Sequence, residues 1–373
     1  MGLCALAALL ACGKERLSRD VEPWEAPTEA NGFFPVRPDE AHNAPCVKRV
    51  EPFETRPLAK TPLATASSVT AIVADEDYAY WIDTQEHRYS VAGTTIERVV
   101  RADGRRLRIA MTEGVAQDLA IDQKSIYWST VGGPGKDAIW SWDKATGHLE
   151  IVALERAGRL VARGWIVAWT RMRPDGVGEV RTFGSPSTAY RPAHLTPVTV
   201  ATIPDLVDGL LAIDGLTVYA ASKEAIWAIP TVGDAKPKKI VSTQPPDDLA
   251  ADSGWVWWIE RGPARAVCDA DGSNPTIIGH RDLKHPVGML KRVKSSGGSN
   301  EVLATHIVEA HTLTVERDVA WIATPSGVLR VVPYTEPTLE PLRPTVRLAP
   351  TNDGLVASAY GIGEETIALL RWP

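Results

Sequence analysis

Four of the eight histidines are close together in the sequence, where they could form a metal site. They are His280, His285, His306 and His311, and imidazole is a common ligand of transition metals. Their intervals of five, twenty-one and five residues differ from the spacings that bring paired ligands together. On one strand, His306 and His311 would point to opposite faces, because side chains alternate along a strand. These histidines are therefore weak metal candidates, and we expect them to face solvent.

Runs of acidic residues could support calcium binding or glycosidase chemistry. They occur at Asp75-Glu76-Asp77, Asp247-Asp248 and Glu364-Glu365. Calcium loops need ligands at alternating positions around a central glycine, a pattern that the sequence lacks. A glycosidase would need two carboxylates to converge from distant parts of the chain. The sequence also lacks the Gly-x-Ser-x-Gly and His-Glu-x-x-His motifs. We therefore predict no catalytic residue and no cofactor, and favour a protein that is not an enzyme.

The N-terminus carries a short apolar stretch, residues 3–11, that ends in Leu9-Leu10-Ala11-Cys12. It is too short to span a bilayer as a helix, which takes about 20 residues, but it suits a signal-peptide core. Its end resembles a bacterial lipobox, whose cysteine is acylated, and Gly13 after it implies the outer membrane. We expect a signal peptide over residues 1–12, lipidation at Cys12 and a bacterial cell-envelope location. The alternative is a chance apolar N-terminus on a cytosolic protein.

The remaining cysteines could form a disulfide. If Cys4 is removed with the signal and Cys12 is acylated, only Cys46 and Cys268 are left. Two cysteines in an oxidising compartment can pair. The alternative is two unrelated thiols, because nothing in the sequence brings the two positions together.

Composition and charge narrow the class of partner. The chain has 373 residues with 40 basic and 46 acidic side chains, a net charge of −6, and no basic run. Nucleic-acid binding depends on clustered Lys and Arg, so we expect no nucleic-acid partner.

Prolines recur through residues 13–55 without a helical or strand period, which predicts an extended tether. The membrane would then be contacted only through the N-terminal lipid.

A repeated pattern fills the rest of the chain. A four-residue apolar step that ends in Asp, Ile-Val-Ala-Asp at residues 72–75, is followed by Tyr80-Trp81, and the step Leu-Ala-Ile-Asp at residues 119–122 by Tyr127-Trp128. Later copies carry their aromatic markers at Trp169, Tyr219, Trp257-Trp258, Trp321 and Tyr360. A period of about 40–45 residues is typical of propeller blades, each a four-stranded antiparallel sheet. We expect the aromatic residues to fill the wedges between blades and the Asp to accept hydrogen bonds at a turn.

The strand pattern predicts an all-β propeller over residues 56–373. Seven four-stranded blades fit the repeats best, and six or eight remain open. The last unit supplies only three strands, so residues 57–66 are expected to provide its fourth strand. Such a strand would close the ring and remove an exposed sheet edge.

The repeat resembles the YWTD type and its bacterial relatives near the NHL group. The resemblance rests on Tyr80-Trp81-Ile82-Asp83, Arg101-Ala102-Asp103-Gly104, Tyr127-Trp128-Ser129-Thr130 and Asp269-Ala270-Asp271-Gly272. It covers roughly residues 57–373 as repeats, and it implies a β-propeller that often has a protein- or peptide-binding face.

Two functions are compatible with these features. The first is an envelope-anchored binding or scaffold module that holds a protein, peptide or glycan on one propeller face. The alternative is a propeller hydrolase, lactonase or lyase with its site in the central channel. A ring of blades supports both, because one fold can carry many functions.

Overall fold

The structure is a computed structural model. It describes residues 47–48, 54–55, 58–87, 90–112, 114–132, 137–184, 196–232, 236–262, 264–268, 284–310, 312–342, 345–360 and 365–371. The chain divides into two units, Met1–Pro45 and Cys46–Pro373, and all described residues belong to the second. The expected signal peptide, Cys12 and Cys46 lie outside the described residues. The described part contains no helix long and apolar enough to cross a bilayer.

Seven β-sheets form seven blades, which confirms the predicted all-β propeller. The first three blades follow one another along the chain. Their strands are β4 Val69–Ala74, β5 Tyr78–His87, β6 Ser90–Val100 and β7 Arg106–Thr112 in blade 1; β8 Val115–Ile121, β9 Ser125–Val131, β10 Ala138–Asp143 and β11 Leu149–Ala153 in blade 2; β12 Leu160–Arg163, β13 Ile166–Met172, β14 Gly178–Phe183 and β15 Val198–Ile203 in blade 3.

The remaining blades continue in the same order. Their strands are β16 Leu206–Asp214, β17 Thr217–Ser222, β18 Ala225–Pro230 and β19 Lys238–Ser242 in blade 4; β20 Pro246–Asp252, β21 Trp255–Glu260, β22 Ala264–Cys268, β23 Lys284–Lys294 and β24 Glu301–Val308 in blade 5; β25 Thr312–Glu316, β26 Val319–Thr324, β27 Gly327–Val331 and β28 Thr338–Glu340 in blade 6; β29 Thr345–Thr351, β30 Gly354–Tyr360 and β31 Glu365–Arg371 in blade 7.

The fourth strand of blade 7 comes from the N-terminal side, as the sequence predicts. This strand, β3 (Ala59–Ala66), pairs antiparallel with β31, and Thr65 lies opposite Thr366. Two shorter segments precede it: β1 (Val47–Lys48) pairs parallel with β22, and β2 (Glu54–Thr55) pairs parallel with β28. Three N-terminal segments therefore add to strands of blades 5, 6 and 7 before the chain enters blade 1.

Seven buried apolar clusters fill the spaces between neighbouring blades. Tyr80 of blade 1 packs in one cluster with Trp128 of blade 2. Leu369 of blade 7 packs with Trp81 of blade 1, so the ring is closed by packing as well as by hydrogen bonds. The expected core role of the aromatic residues is confirmed, since the largest fully buried side chains include Trp81, Trp128, Trp169, Trp257, Trp258 and Trp321.

The Asp at the end of the inner strand holds the following turn, as predicted. Asp75 Oδ1 accepts the backbone N–H groups of Asp77 and Tyr78 at 3.1 and 2.9 Å. Asp122 repeats the arrangement with Lys124 and Ser125, both at 2.8 Å. This turn directs the chain from the inner strand to the second strand of the blade.

Candidate functional site

The inner strands of all seven blades surround a central channel of about 680 Å³. When the inner strands are aligned on their aliphatic residue, one residue of each strand lines the channel at the equivalent position. Near the middle of the channel these residues are small or short: Val73, Ala120, Val161, Ala212, Ala250, Thr314 and Ala349. The volume lies in the range of small-molecule sites.

The residues two positions earlier in each blade line one mouth of the channel, and several of them are charged. The seven equivalent residues are Ala71, Asp118, Arg159, Leu210, Asp248, Thr312 and Arg347. We call Asp118, Arg159, Asp248 and Arg347 the charged ring. Its members come from blades 2, 3, 5 and 7, and their formal charges sum to zero. Ala71 and Leu210 occupy the same position, so the fold does not require charge there.

β-Bulges position three members of the charged ring. The register of blades 2, 5 and 7 shifts immediately before Asp118, Asp248 and Arg347. A bulge adds one residue to a strand and re-aims the side chains next to it. Arg159 directly precedes β12, whose pairing begins at Leu160.

The two carboxylates are bound by backbone N–H groups. Asp118 Oδ2 accepts the N–H of Leu160 at 2.6 Å. Asp248 accepts the N–H of Leu249 at 2.8 Å and that of Leu313 at 2.7 Å. Leu160 and Leu313 belong to the next blade in each case, so the carboxylates join neighbouring blades close to the channel.

The two guanidinium groups use less of their hydrogen-bonding capacity. Arg159 Nε lies 3.7 Å from Asp118 Oδ2, and its Nη2 lies 3.9 Å from Asp248 Oδ1. Both distances exceed a hydrogen bond, and the guanidinium of Arg159 makes no hydrogen bond within the described part of the chain. Arg347 Nε donates to Thr70 O at 2.7 Å and its Nη1 to Thr312 Oγ1 at 3.5 Å. The Arg159 side chain is 35% exposed, which leaves its N–H groups open to the channel.

Burial perturbs the acid–base behaviour of the charged ring. It raises the pKa of Asp118, against the opposing charge of Arg159 and the N–H of Leu160. Burial and then the positive charge of Arg159 lower the pKa of Arg347. Burial also acts to lower the pKa of Arg159, but Asp248 and Asp118 together raise it. The mouth therefore offers a bound molecule free N–H donors rather than a pair of free carboxylates.

The opposite mouth of the channel is rich in acidic residues that have structural partners. Arg163 Nη1 lies 3.2 Å from Asp214 Oδ1 and 3.7 Å from Asp252 Oδ1. Lys144 Nζ lies 3.1 Å from Asp75 Oδ2. Burial and then the charge of Asp252 raise the pKa of Glu316. No group of three or more metal-ligating side chains that could hold an ion occurs among the described residues.

A second cavity of about 380 Å³ lies at the outer edge of the ring, between blades 1 and 2. We call it the rim groove, and it is lined by Met111, Trp140, Leu149, Ile151 and Leu154. Leu154 and Met111 are 72% and 71% exposed, while Ile151 and Leu149 are 47% and 42% exposed. Four of the eleven exposed large apolar side chains among the described residues therefore line one cavity.

The floor of the rim groove is a row of three residues across blade 2. Trp140 lies opposite Trp128 on one side and Ile151 on the other. The Trp128 and Trp140 rings stack with centroids 6.5 Å apart and planes 13° apart. Trp140 Nε1 donates to Thr130 Oγ1 at 3.2 Å, so its polar atom is already used within blade 2.

The residues singled out in the sequence are placed as follows. His285 and His306 lie on β23 and β24, while His280 and His311 are outside the described residues. His306 Nδ1 forms a hydrogen bond with Thr305 Oγ1 at 2.9 Å, and the metal site stays untested. Cys268 lies opposite Lys48 in the parallel pairing of β1 with β22. Cys46 lies outside the described residues, and the disulfide stays a prediction.

The charged ring was missed by motif reasoning, except for Asp248 in its acidic pair. A signal was nevertheless present. When the repeats are aligned on the aliphatic residue of the inner strand, Asp118, Arg159, Asp248 and Arg347 fall in one column, directly before Leu119, Leu160, Leu249 and Leu348.

Comparison with known proteins supports the fold. No model of a known protein family matches the sequence, and no curated protein matches it. A chain of the mitotic checkpoint complex is 10% identical with a TM-score of 0.55, over 86% of this chain and 95% of that one. The AfRom2 CNH domain is 8% identical with a TM-score of 0.54, over 84% of this chain and 100% of its own.

A chain of the nidogen/laminin complex is also similar. It is 12% identical with a TM-score of 0.38, over 65% of this chain and 93% of that one. At 10% and 8% identity, the likenesses to the checkpoint-complex chain and to the AfRom2 CNH domain show the propeller fold alone.

Proposed function

We propose that this protein is a binding module that takes up an extended segment of a partner protein in the rim groove. The observation that carries the proposal is the exposure of Met111, Leu149, Ile151 and Leu154 around one cavity. Contiguous exposed apolar surface is costly in water and marks interaction sites. Each of the seven blade interfaces already has its own buried apolar cluster. The fold therefore does not require large apolar side chains on the outer surface of the ring.

The chemistry of the rim groove favours a protein over a glycan. A glycan site needs polar groups that hydrogen-bond sugar hydroxyls. The indole N–H of Trp140 is used by Thr130, and Met111, Leu149, Ile151 and Leu154 supply no polar group. Burial of a partner's apolar side chains in the groove would instead stabilise the complex by about 25 cal/mol per Å² of apolar surface removed from water.

An extended segment suits the outer edge of the blades. β2 adds to the outer strand of blade 6, β28, in parallel pairing, and β1 pairs parallel with β22, the side hairpin strand of blade 5. β11 is the outer strand of blade 2, and no described strand pairs beyond it. An added strand would find unpaired backbone groups on β11 and the apolar side chains of Leu149 and Ile151 beside them.

The similar chain of the mitotic checkpoint complex belongs to a complex, which supports a protein partner for a ring of this kind.

We further propose that the module is held at a bacterial cell envelope through a lipid on Cys12. Metabolic labelling with a fatty acid tests the anchor, and the label should be lost from Cys12→Ala. Label that persists in this variant would refute lipidation at that position.

Site-specific photo-crosslinking tests the rim groove in cells that make the protein. A photoreactive amino acid at Leu154 should give one discrete adduct with another protein, whereas the same group at Leu216, an exposed residue of blade 4, should not. Ile151→Asp in the Leu154 probe protein should reduce the adduct about tenfold, because a charge replaces an apolar anchor. A synthetic peptide with the crosslinked partner sequence should compete.

Three results would contradict the proposal. They are equal adducts at Leu154 and Leu216, an adduct with twice the mass of this chain, and an adduct that Ile151→Asp leaves unchanged. An adduct with a glycan instead of a protein would contradict the assigned class of partner.

A further inference from the structure

We propose that the charged ring binds a small molecule through a carboxylate group, independently of the rim groove. The site is the mouth of the central channel, and the groups that would hold the carboxylate are the guanidinium groups of Arg159 and Arg347. The channel behind this mouth has a volume of about 680 Å³, enough for the rest of a small organic molecule.

The first argument is the unused hydrogen-bonding capacity of Arg159. A guanidinium carries five N–H donors in a planar fork, and the two nearest carboxylate oxygens lie 3.7 and 3.9 Å away. The acids cannot simply move closer, because Leu160 and Leu313 hold Asp118 and Asp248 through short backbone hydrogen bonds. The donors of Arg159 are therefore available to an acceptor that enters the channel.

The second argument is the juxtaposition of two cations. Arg347 comes from blade 7 and Arg159 from blade 3, and both line the central channel, where the positive charge of Arg159 helps to lower the pKa of Arg347. Arg347 is fixed through Nε, which donates to Thr70 O. Like charges at a desolvated site repel one another, and an anion between them relieves the repulsion. A carboxylate matches the planar fork of each guanidinium.

The third argument selects a monoanion. Asp118 and Asp248 lie at the same depth as the two arginines and already balance their charge. The ring therefore has no net positive charge to compensate the second negative charge of a phosphate dianion. The small apolar residues deeper in the channel suit the carbon chain of such a ligand.

Ligand-observed NMR with propionate tests the assignment on the full-length protein at constant ionic strength. Saturation transferred from the protein to the propionate methyl group should titrate to a dissociation constant. Arg159→Gln should weaken binding about tenfold, because charge-assisted hydrogen bonds to the carboxylate are lost. Arg163→Gln at the opposite mouth is the matched control and should leave the constant unchanged.

A second variant keeps the test decisive if Arg159→Gln fails to fold. Asp118→Asn keeps an acceptor for the Leu160 N–H but removes one negative charge, so it should tighten propionate binding. Such a gain cannot arise from unfolding. The proposal is overturned if propionate shows no saturation transfer, if Arg159→Gln and Arg163→Gln weaken it equally, if Asp118→Asn does not tighten it, or if inorganic phosphate competes more strongly than propionate itself.

Discussion

Single carboxylates join neighbouring blades close to the axis of the ring. Asp118, Asp248 and Glu365 each project from one blade and accept a backbone N–H from the next one. The N–H groups belong to Leu160, Leu313 and Val69. Each lies at the start of an inner strand, where a buried N–H without a partner would be costly. The same type of residue therefore stabilises the ring and, in the charged ring, lies beside an arginine.

Glu365 gives a pH-dependent prediction at the seam between blades 7 and 1. Its Oε1 accepts the Val69 N–H at 3.0 Å. Burial raises its pKa, with Asp83 adding to the rise and the Val69 N–H, Ser358 and Arg347 opposing it. A raised pKa means that the native state binds the proton more tightly than the unfolded chain, so stability is lost as pH rises through the folded-state pKa.

Glu365→Gln keeps an acceptor for Val69 but cannot ionise. We expect its melting temperature to match that of the wild type near pH 4, about the unperturbed pKa of a glutamic acid, and to exceed it by a growing margin as pH rises to about 8. Thermal melts followed by tryptophan fluorescence measure this difference. Glu224→Gln, on an exposed turn, should show no such trend, and a pH-independent difference for Glu365→Gln would count against the argument.

At the scale of the strands, the sequence predicts some blades better than others. In blades 1 and 2, the aliphatic residue of the inner strand lies opposite the Trp of the second strand, Trp81 or Trp128. In blade 6, Trp321 lies opposite Thr314, one place out of this alignment. In blade 7, Val356 and Ala357 occupy the equivalent positions, and the marker Tyr360 lies at the end of β30. Apolar residues of several sizes fill the wedge, so the aromatic marker is not obligatory.

Blade 5 departs most from the expectation drawn from the sequence. Residues 266–269 and 276–278 are expected there as its third and fourth strands, with a mobile connection over residues 291–300. The third and fourth strands are instead β23 and β24. β22 forms a side hairpin with the start of β23, and residues 269–283 lie outside the described part. Local turn signals cannot distinguish a hairpin inserted in a blade from the blade itself, because both have the same alternating pattern.

At the scale of the whole molecule, the repeat period was sufficient to predict the ring and its closing strand. It could not predict the charged ring or the rim groove. The charged ring joins residues that are up to 229 positions apart in the sequence, Asp118 and Arg347. The rim groove depends on how far the outer strands β7 and β11 extend. Such features arise from the closed arrangement of blades and have no local sequence motif.

Closure of the ring by β3 is the central claim, and a designed disulfide tests it most directly. Thr65 and Thr366 lie opposite each other in the β3–β31 ladder and are not buried, so the double variant Thr65→Cys with Thr366→Cys should form a disulfide on mild oxidation. Thr61→Cys with Thr366→Cys is the control, because Thr61 lies opposite Leu369. Peptide mapping by mass spectrometry under non-reducing conditions should find the first crosslink within one chain and not the second. Absence of the first crosslink, or equal formation of both, would contradict a ring closed by this strand.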